Sequence, residues 1–364
     1  MHCTGGARPR WYSALRPAFL LAALVGTVLV GGSAAAGPGA QVGRDGEAIL
    51  VTARVLAGFD RVNASKRRFG KLEWRGGLEL TSPHRSFGGW SGLIVDPKGE
   101  RMLAISDDGH WLTARLSYRA GRLVGLTETR LGPLLSTSGK PLRGKRERDA
   151  EGLALFSGGF ERGEALISFE RYHRIGRFPL RRGIPGKPTG YLKLPAEIRR
   201  LGSNKGLEGV AVLQAGRYRG WVAAFAERPR SGKGPRQVWL LQGKRALAFH
   251  ITDRGDMDVS DAAALPDGGL VILERRFRWS EGLNIRVRRI RAAEIAAGAT
   301  IAGETLLEAS LGHEIDNMEG IAVHRGARGE IVLTLISDDN YNRLLQRTVL
   351  LQFAIADTIK ATSR

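Results

Sequence analysis

A short acidic element recurs along the chain, and each copy is followed by a second acidic or charged position. The three closest copies contain Glu151, Glu208 and Glu319, each followed by glycine, and two looser relatives contain Ser91 and Asp261. In the three closest copies the second acid follows the first by 19 positions (151 to 170, 208 to 227, 319 to 338). Carboxylates repeated at a fixed spacing can bind a divalent cation or transfer protons.

The residue types in these elements match what phosphoester hydrolysis needs, which is cations around the phosphoryl oxygens and an activated water. Calcium prefers oxygen ligands, so we expect Ca²⁺ at Glu151, Glu208, Glu319, Asp107 and Asp338. The side chains expected to bind an anionic or phosphorylated small substrate are Arg171, Lys205, Arg228, Arg275 and Asn340. The residues expected to perform catalysis are Glu319, Glu151 and His173.

The same residues also allow a purely structural interpretation. Glu and Arg at equivalent positions of neighbouring repeats can pair with each other and bind nothing else. The pairs Asp107-Asp108 and Asp338-Asp339 can be turn motifs, because Asp side chains accept hydrogen bonds from nearby backbone amides. Metal binding is the property that separates these interpretations.

The spacing of the copies predicts the architecture that positions them. Counted from positions 91, 151, 208, 261 and 319, successive copies begin 60, 57, 53 and 58 residues apart. A period in the fifties, made of short β-rich runs separated by Gly, Pro and Asp turns, favours an all-β propeller with four-stranded blades. We expect five blades, with a sixth, degenerate one left open, and residues 47–80 closing the ring as outer strands of the last blade. A two-sheet sandwich competes, although it would not need so regular a period.

Each repeat begins with a predicted hairpin, which places its two charged positions together. In an antiparallel hairpin the start of the first strand and the end of the second lie at one edge. The first strand of a propeller blade lies nearest the channel, so we expect these side chains to surround one mouth of it. The expected set is Asp107, Glu151, Glu170, Glu208, Glu227, Glu274, Glu319 and Asp338, with Arg171, Arg228 and Arg275 between them.

An ordered set of six motifs resembles the phytase-like family, a group of exported bacterial proteins described as "esterase-like activity of phytase". The motifs are Gly92-Leu with Ser106-Asp-Asp-Gly109, Asp149-Ala-Glu-Gly152, Phe169-Glu-Arg-Tyr-His-Arg174, Asn204-Lys-Gly-Leu-Glu-Gly209, Leu273-Glu-Arg-Arg-Phe277, and Asn317-Met-Glu-Gly320 with Ser337-Asp-Asp-Asn340. The resemblance covers roughly residues 70–355. It implies a periplasmic or secreted propeller with a phosphoester-hydrolysing or esterase-like activity.

The N-terminus predicts a signal peptide of the general secretory type. Arg8, Arg10 and Arg16 precede an uncharged apolar stretch over residues 18–30, and small residues at 34–36 suit cleavage before Gly37. We therefore expect a periplasmic or secreted protein with no stable membrane span after cleavage; an uncleaved anchor is the alternative. The expected domains are a signal peptide (1–36), a flexible linker (37–46), the propeller (47–357) and a tail (358–364).

Composition excludes several classes and leaves two functions open. Cys3 is the one cysteine, which excludes a disulfide framework, a thiolate zinc site and a cysteine nucleophile in the body. The formal net charge of +20 favours anionic partners, but no nucleic-acid-binding motif is present, so we expect no nucleic acid and a monomer. The first function is a hydrolase of phosphomonoesters or other small esters. The alternative is a non-catalytic propeller scaffold that binds an anionic envelope polymer or a protein partner.

Overall fold

Strands dominate the chain because short runs rich in β-branched and large apolar residues alternate with Gly, Pro and Asp turns. The computed structural model describes residues 45–202, 206–229 and 233–359. The predicted signal peptide, all but the last two residues of the predicted linker, Lys205, and residues 360–364 of the predicted tail lie outside these ranges. None of the helices within them is long and apolar enough to cross a membrane.

The strands follow the five repeats of the sequence. Before the first repeat come β1 (Glu47–Ala48), β2 (Thr52–Val55), β3 (Arg68–Phe69) and β4 (Leu72–Thr81). The first repeat forms β5 (Trp90–Val95), β6 (Arg101–Ser106), β7 (His110–Arg119) and β8 (Arg122–Pro133). The second forms β9 (Ala150–Gly158), β10 (Arg162–Phe169), β11 (Arg174–Arg181), β12 (Ile184–Pro185) and β13 (Gly190–Tyr191).

The later repeats keep this order of strands. The third forms β14 (Leu207–Val212), β15 (Val222–Ala226), β16 (Arg236–Gln242) and β17 (Arg245–Ile251). The fourth forms β18 (Asp258–Ala264), β19 (Leu270–Arg278), β20 (Gly282–Ile290), β21 (Thr300–Ile301) and β22 (Glu304–Ser310). The fifth forms β23 (Asn317–Arg325), β24 (Ile331–Asp338) and β25 (Thr348–Ile355). The short helices are α1 (Gly144–Arg148), α2 (Ala196–Arg199), α3 (Ala356–Ile359) and a 3₁₀ turn (Ala292–Glu294).

These strands build five sheets, which are the five blades of a β-propeller. The first strands of the repeats, β5, β9, β14, β18 and β23, contact one another in turn, and β23 returns to β5. The last blade is completed by β4, which pairs with β25, and by β2, which pairs with β4. Closure by N-terminal outer strands is therefore as predicted, except that β1 pairs with β8 of the first blade. The described part of the chain forms no sixth blade.

The apolar core is divided into five clusters, each between two neighbouring blades. Leu273 of the fourth blade and Leu333 of the fifth share one cluster, for example, and Leu350 of the fifth and Leu93 of the first share another. Both faces of every sheet are thus covered, which explains why the inner strands are near-continuous apolar runs rather than alternating ones. The blades are held in register by these five layers.

Each inner strand carries a β-bulge at its acidic element. The pairing register shifts at Ser91, Glu151, Glu208, Ser260 and Glu319, one residue before Gly92, Gly152, Gly209, Asp261 and Gly320 respectively. A bulge leaves an extra residue outside the ladder and redirects its side chain. The bulge is therefore the local device that turns these five residues away from the blade.

The glycines at the bulges are required by contact with the next blade. A Cβ on Gly152 would lie 2.5 Å from the carbonyl oxygen of Glu208, and one on Gly92 would lie 2.8 Å from the carbonyl oxygen of Glu151. A Cβ on Gly209 would lie 2.9 Å from the backbone nitrogen of Ala262. The inner strands can approach this closely only because the side chain is absent.

Replacing Gly152 with alanine should destabilise the ring. The added methyl group would meet backbone atoms of the neighbouring strand, which cannot move aside, so we expect a loss of about 1–3 kcal/mol in the free energy of unfolding. Urea unfolding of Gly152→Ala checks this. The control is Gly159→Ala in the same blade, where a Cβ meets nothing within 4 Å, and where we expect a change within about 0.5 kcal/mol. Equal stability of the two variants would contradict the close approach.

Candidate functional site

Two rings of side chains surround one mouth of the channel. The bulge ring consists of the five bulge residues, Ser91, Glu151, Glu208, Ser260 and Glu319. The strand-end ring consists of the residues that follow or close the second strands, Asp107, Glu170, Glu227, Arg275 and Asp338. The hairpins bring the two rings together. Each strand-end residue lies across the hairpin from the start of the inner strand, two positions before the bulge residue. In the fifth blade, for example, Asp338 pairs with Asn317, two positions before Glu319.

These rings enclose an acidic cavity of ≈ 240 Å³. All ring members except Ser260 line it, together with Arg171 and Asn340. Seven carboxylates and two arginines therefore line the cavity, a formal charge of 2 − 7 = −5 when all are ionised. The other half of the channel holds a cavity of ≈ 410 Å³ lined mainly by apolar residues of the inner strands. Within the channel, the charged side chains are therefore concentrated at the mouth.

The fourth blade departs from the predicted rim. Glu274 was expected at the mouth, but the register pairs Val259 with Glu274 and Asp258 with Arg275. Arg275 therefore occupies the strand-end ring, where the other blades have an acid. Glu274 points away and forms a buried ion pair with Arg288, whose Nε lies 2.8 Å from the carboxylate. The prediction for Glu274 is wrong because the repeat in this blade is displaced by one residue, and a displacement of one residue moves a side chain to the other face of the sheet.

Several of the predicted site residues lie outside the cavity lining. Arg228 donates to Asp258 at 2.7 Å and also pairs with Asp256. The Nε2 of His173 lies 3.1 Å from the carbonyl oxygen of Leu201, and its ring packs beside Gly206 rather than in the cavity. Lys205 lies outside the described residues. Of the predicted substrate-binding residues, the structure thus places Arg171, Arg275 and Asn340 at the mouth.

Some cavity carboxylates already have cationic partners. Arg275 binds Glu319 through two contacts of 2.9 and 3.2 Å, and Asn317 donates to the same carboxylate at 2.9 Å. Asp107 pairs with Lys145 of α1. Two of the five predicted calcium ligands, Glu319 and Asp107, are therefore partly neutralised by the protein itself.

Other cavity carboxylates have no partner among the residues that the structure describes. Within the described ranges, no hydrogen bond or ion pair engages the carboxylates of Glu151, Glu208 or Glu227. Two groups of acids bring ligand oxygens within 4.8 Å of one another: Asp149, Glu151 and Glu170, and then Glu170, Glu208 and Glu227. Glu151 and Glu208 were predicted as ligands. Asp149, Glu170 and Glu227 were not, although the 19-residue spacing already marked Glu170 and Glu227.

Comparison with known proteins decides the family. A sequence model of the phytase-like family, described as "Esterase-like activity of phytase", matches residues 85–341. The chain belongs to this family. No curated protein matches the chain. The matched segment begins before Ser91 and ends beyond Asp338, so it includes every residue of both rings.

Solved structures similar to this phytase-like chain share little sequence with it. The WD40 domain of Neurospora crassa Pan2 is 10% identical, with a likeness that covers 80% of this chain and 96% of that one at a TM-score of 0.37. The α-L-arabinofuranosidase PaAbf62A from Podospora anserina, solved with cellotriose, is 11% identical, with 79% and 96% covered at a TM-score of 0.44. Neither likeness supports an inference about function.

Burial and mutual repulsion raise the pKa values of the cavity acids. Burial, followed by the charge of Asp149, raises the pKa of Glu170 to about 7. Burial and Asp258 raise the pKa of Glu227 to about 7, and burial and Glu319 raise the pKa of Asp338 to about 8. Burial also holds the pKa values of Glu151 and Glu208 well above the ordinary range. Each of these shifts favours the protonated carboxyl over the carboxylate in the absence of a bound cation.

The donor set fits a hard divalent cation. The two groups of acids offer carboxylate oxygens, which Ca²⁺ and Mg²⁺ prefer, and they contain no nitrogen or sulfur ligand that would favour Zn²⁺. Unpartnered, buried and mutually repelling carboxylates are what a cation would stabilise. The site residues of the phytase-like chain therefore suit the metal that the sequence analysis expects.

Without metal, the protein should lose stability as pH rises from about 4.5 to about 8. A carboxylate whose pKa is raised by folding contributes stability below its ordinary pKa of 4.5, and this contribution disappears as pH rises through the raised pKa. Thermal unfolding in chelator at pH 5 and pH 8 checks this. Added Ca²⁺ should raise the melting temperature more at pH 8, because protons compete with the cation at pH 5. A larger calcium effect at pH 5 would contradict the assignment.

Proposed function

We propose that this phytase-like chain is an exported, calcium-dependent hydrolase of phosphomonoesters or other small esters, acting at the channel mouth. The observation that carries the proposal is a set of three carboxylates, Glu151, Glu208 and Glu227, that have no partner among the described residues and lie in a cavity that also presents arginine. Such an arrangement is costly for a scaffold, because carboxylates are buried beside one another and nearby arginines compensate for only part of their repulsion. It is useful to an enzyme that holds a cation and an anion side by side.

The cation would be held by Glu151, Glu170, Glu208 and Glu227, with Asp149 beside them. When bound, it would supply charge neutralisation at the phosphoryl oxygens and a more acidic water. Asp107 and Asp338, the other predicted ligands, lie across the cavity on the first and fifth blades. They extend the acidic wall and contribute to the field at the mouth.

The arginines of the mouth would bind and orient the ester. Arg275 presents a guanidinium that is fixed against Glu319 by two contacts, so its remaining donors are pre-oriented toward an anion. Arg171 is fixed in the same way by Asp149, at 2.8 Å. Because the two arginines belong to different blades, an anion between them would be held from two sides.

Glu319 is suited to proton transfer at the mouth. Its carboxylate is fixed by Arg275 and Asn317, and burial raises its pKa although Arg275 opposes the rise. A positioned carboxylate with a raised pKa can accept a proton from an attacking water. We therefore assign Glu319 the role of general base and Glu151 a role in holding the cation.

The net positive charge is the observation that favours the alternative, a scaffold for an anionic polymer or a protein partner. The mouth has the opposite sign, however, so such a polymer would bind elsewhere on the surface. A scaffold would not need unpartnered acids at the channel, and it would not respond to calcium.

Phosphate release from phytate should require calcium. We expect release with Ca²⁺ and loss of release with chelator, because the cavity acids repel an anionic substrate unless a cation neutralises them. The same assay on p-nitrophenyl acetate tests other small esters. No hydrolysis of either compound, with or without calcium, would favour the scaffold.

Glu227→Gln should separate function from stability. Loss of a ligand should lower kcat by more than about 100-fold, since even groups behind metal ligands typically contribute 10–100-fold. The metal-free variant should be at least as stable as the parent, because one repelling carboxylate is removed. Glu161→Gln, an exposed acid away from the mouth, is the control and should leave activity unchanged. Full activity in Glu227→Gln would contradict the proposed ligand set.

A further inference from the structure

Exposed apolar side chains stand on the loops that surround the acidic mouth. The second strand of each blade runs toward the mouth, so the connections from second to third strand all lie on this face. In the fourth blade Trp279 is 95% exposed and Phe277 57%; in the fifth, Leu344 is 96% exposed and Leu345 82%. Tyr172 of the second blade is exposed at the equivalent connection. We call these residues the apolar tips.

The apolar tips are unusual for this chain. The five other tryptophans in the described ranges are buried, so Trp279 is the exception among them. Its ring contacts that of Phe277 edge to face, with centroids 5.4 Å apart. Leu311, also exposed, lies beside Gly282 at the end of the same hairpin. Large apolar side chains grouped in solvent usually mark an interaction site.

The same face carries arginines that have no partner in the described structure. They lie on the connections that precede the inner strands: Arg85 before β5, Arg143 and Arg146 before β9, and Arg200 before β14. All four are exposed, and no described residue accepts a hydrogen bond from their guanidinium groups or forms an ion pair with them. This contrasts with Arg171, Arg228 and Arg275, which are all paired.

We propose that the mouth face docks onto an anionic lipid surface. The apolar tips would enter the boundary between head groups and acyl chains, while the free arginines of the other blades would bind lipid phosphates. The tips are separate loop ends on three blades rather than one flat patch, which suits a fluid surface better than a protein interface. The acids of the mouth are recessed in the cavity, so they do not oppose this contact.

Membrane docking is independent of catalysis. What it implies about the substrate, however, rests on the proposed function. The mouth would be held against the membrane, so the substrates within reach would be phosphoesters carried on lipid head groups. Vesicle binding in chelator tests docking alone, whereas phosphate release tests hydrolysis. The two proposals can therefore fail separately.

Sedimentation with vesicles tests the charge requirement. In chelator, the full chain should bind vesicles of phosphatidylcholine mixed with phosphatidylglycerol more tightly than phosphatidylcholine alone, and salt should weaken the binding. Arg146→Gln and Arg85→Gln should each weaken it about fivefold. Arg119→Gln, at the end of β7 on the opposite face, is the matched control and should have no effect. Equal binding of all three variants would overturn the proposal.

Tryptophan fluorescence tests insertion. In a Trp11→Phe background, a blue shift on vesicle addition should report Trp279, because the other described tryptophans are already buried. Replacing both Leu344 and Leu345 with serine should weaken binding by about tenfold or more. Val55→Ser, 49% exposed at the end of outer strand β2 that points away from the mouth, is the control. All variants share the N-terminal apolar stretch, so differences in binding between them report the substituted residues. An unshifted spectrum, or unchanged binding of the leucine variant, would overturn docking and favour a protein partner.

Discussion

The approach of five inner strands to within contact of one another is the constraint on which this structure depends. At Gly92, Gly152 and Gly209 there is no room for a Cβ, because backbone atoms of the next blade occupy that space. The bulge that places the glycine there also turns the preceding residue into the channel mouth. Ring closure and the acidic rim therefore depend on the same two-residue element. In the second, third and fifth blades its glycine permits closure and its glutamate lines the rim.

This coupling has an electrostatic consequence. A closed ring of five similar bulges necessarily brings like side chains together, and burial then raises the pKa values of the acids at the mouth. Lys145 and Arg275 relieve part of the repulsion at Asp107 and Glu319. The remaining repulsion between the acids is offset by the stability that the five apolar layers between the blades provide. Such a local sacrifice of stability within an otherwise consistent fold is typical of a functional site.

The repeat period predicted the blades, their closure and the meeting of the two acids in each hairpin, since these follow from short-range pattern and antiparallel geometry. It did not predict the face of Glu274, because the register of a strand depends on a bulge that composition does not reveal. Nor did it reveal that Arg228 is held by Asp258, or that Lys145 reaches Asp107, because these pairs join different strands or blades. Pairings between distant residues are set by the completed ring.

The fourth blade shows how the repeat was adapted. Asp261 stands where the other blades have glycine, and its carboxylate accepts a hydrogen bond from the backbone nitrogen of Ile321 at 2.9 Å, so the blade contact is kept by other means. In the strand-end ring, Arg275 replaces an acid and pairs with Glu319. The acids that have no partner in the described part of the chain are thereby left on the second and third blades, beside the guanidinium of Arg275 on the fourth. A symmetric carboxylate ring could hold a cation alone, whereas this asymmetric one presents positions for a cation and for an anion beside it.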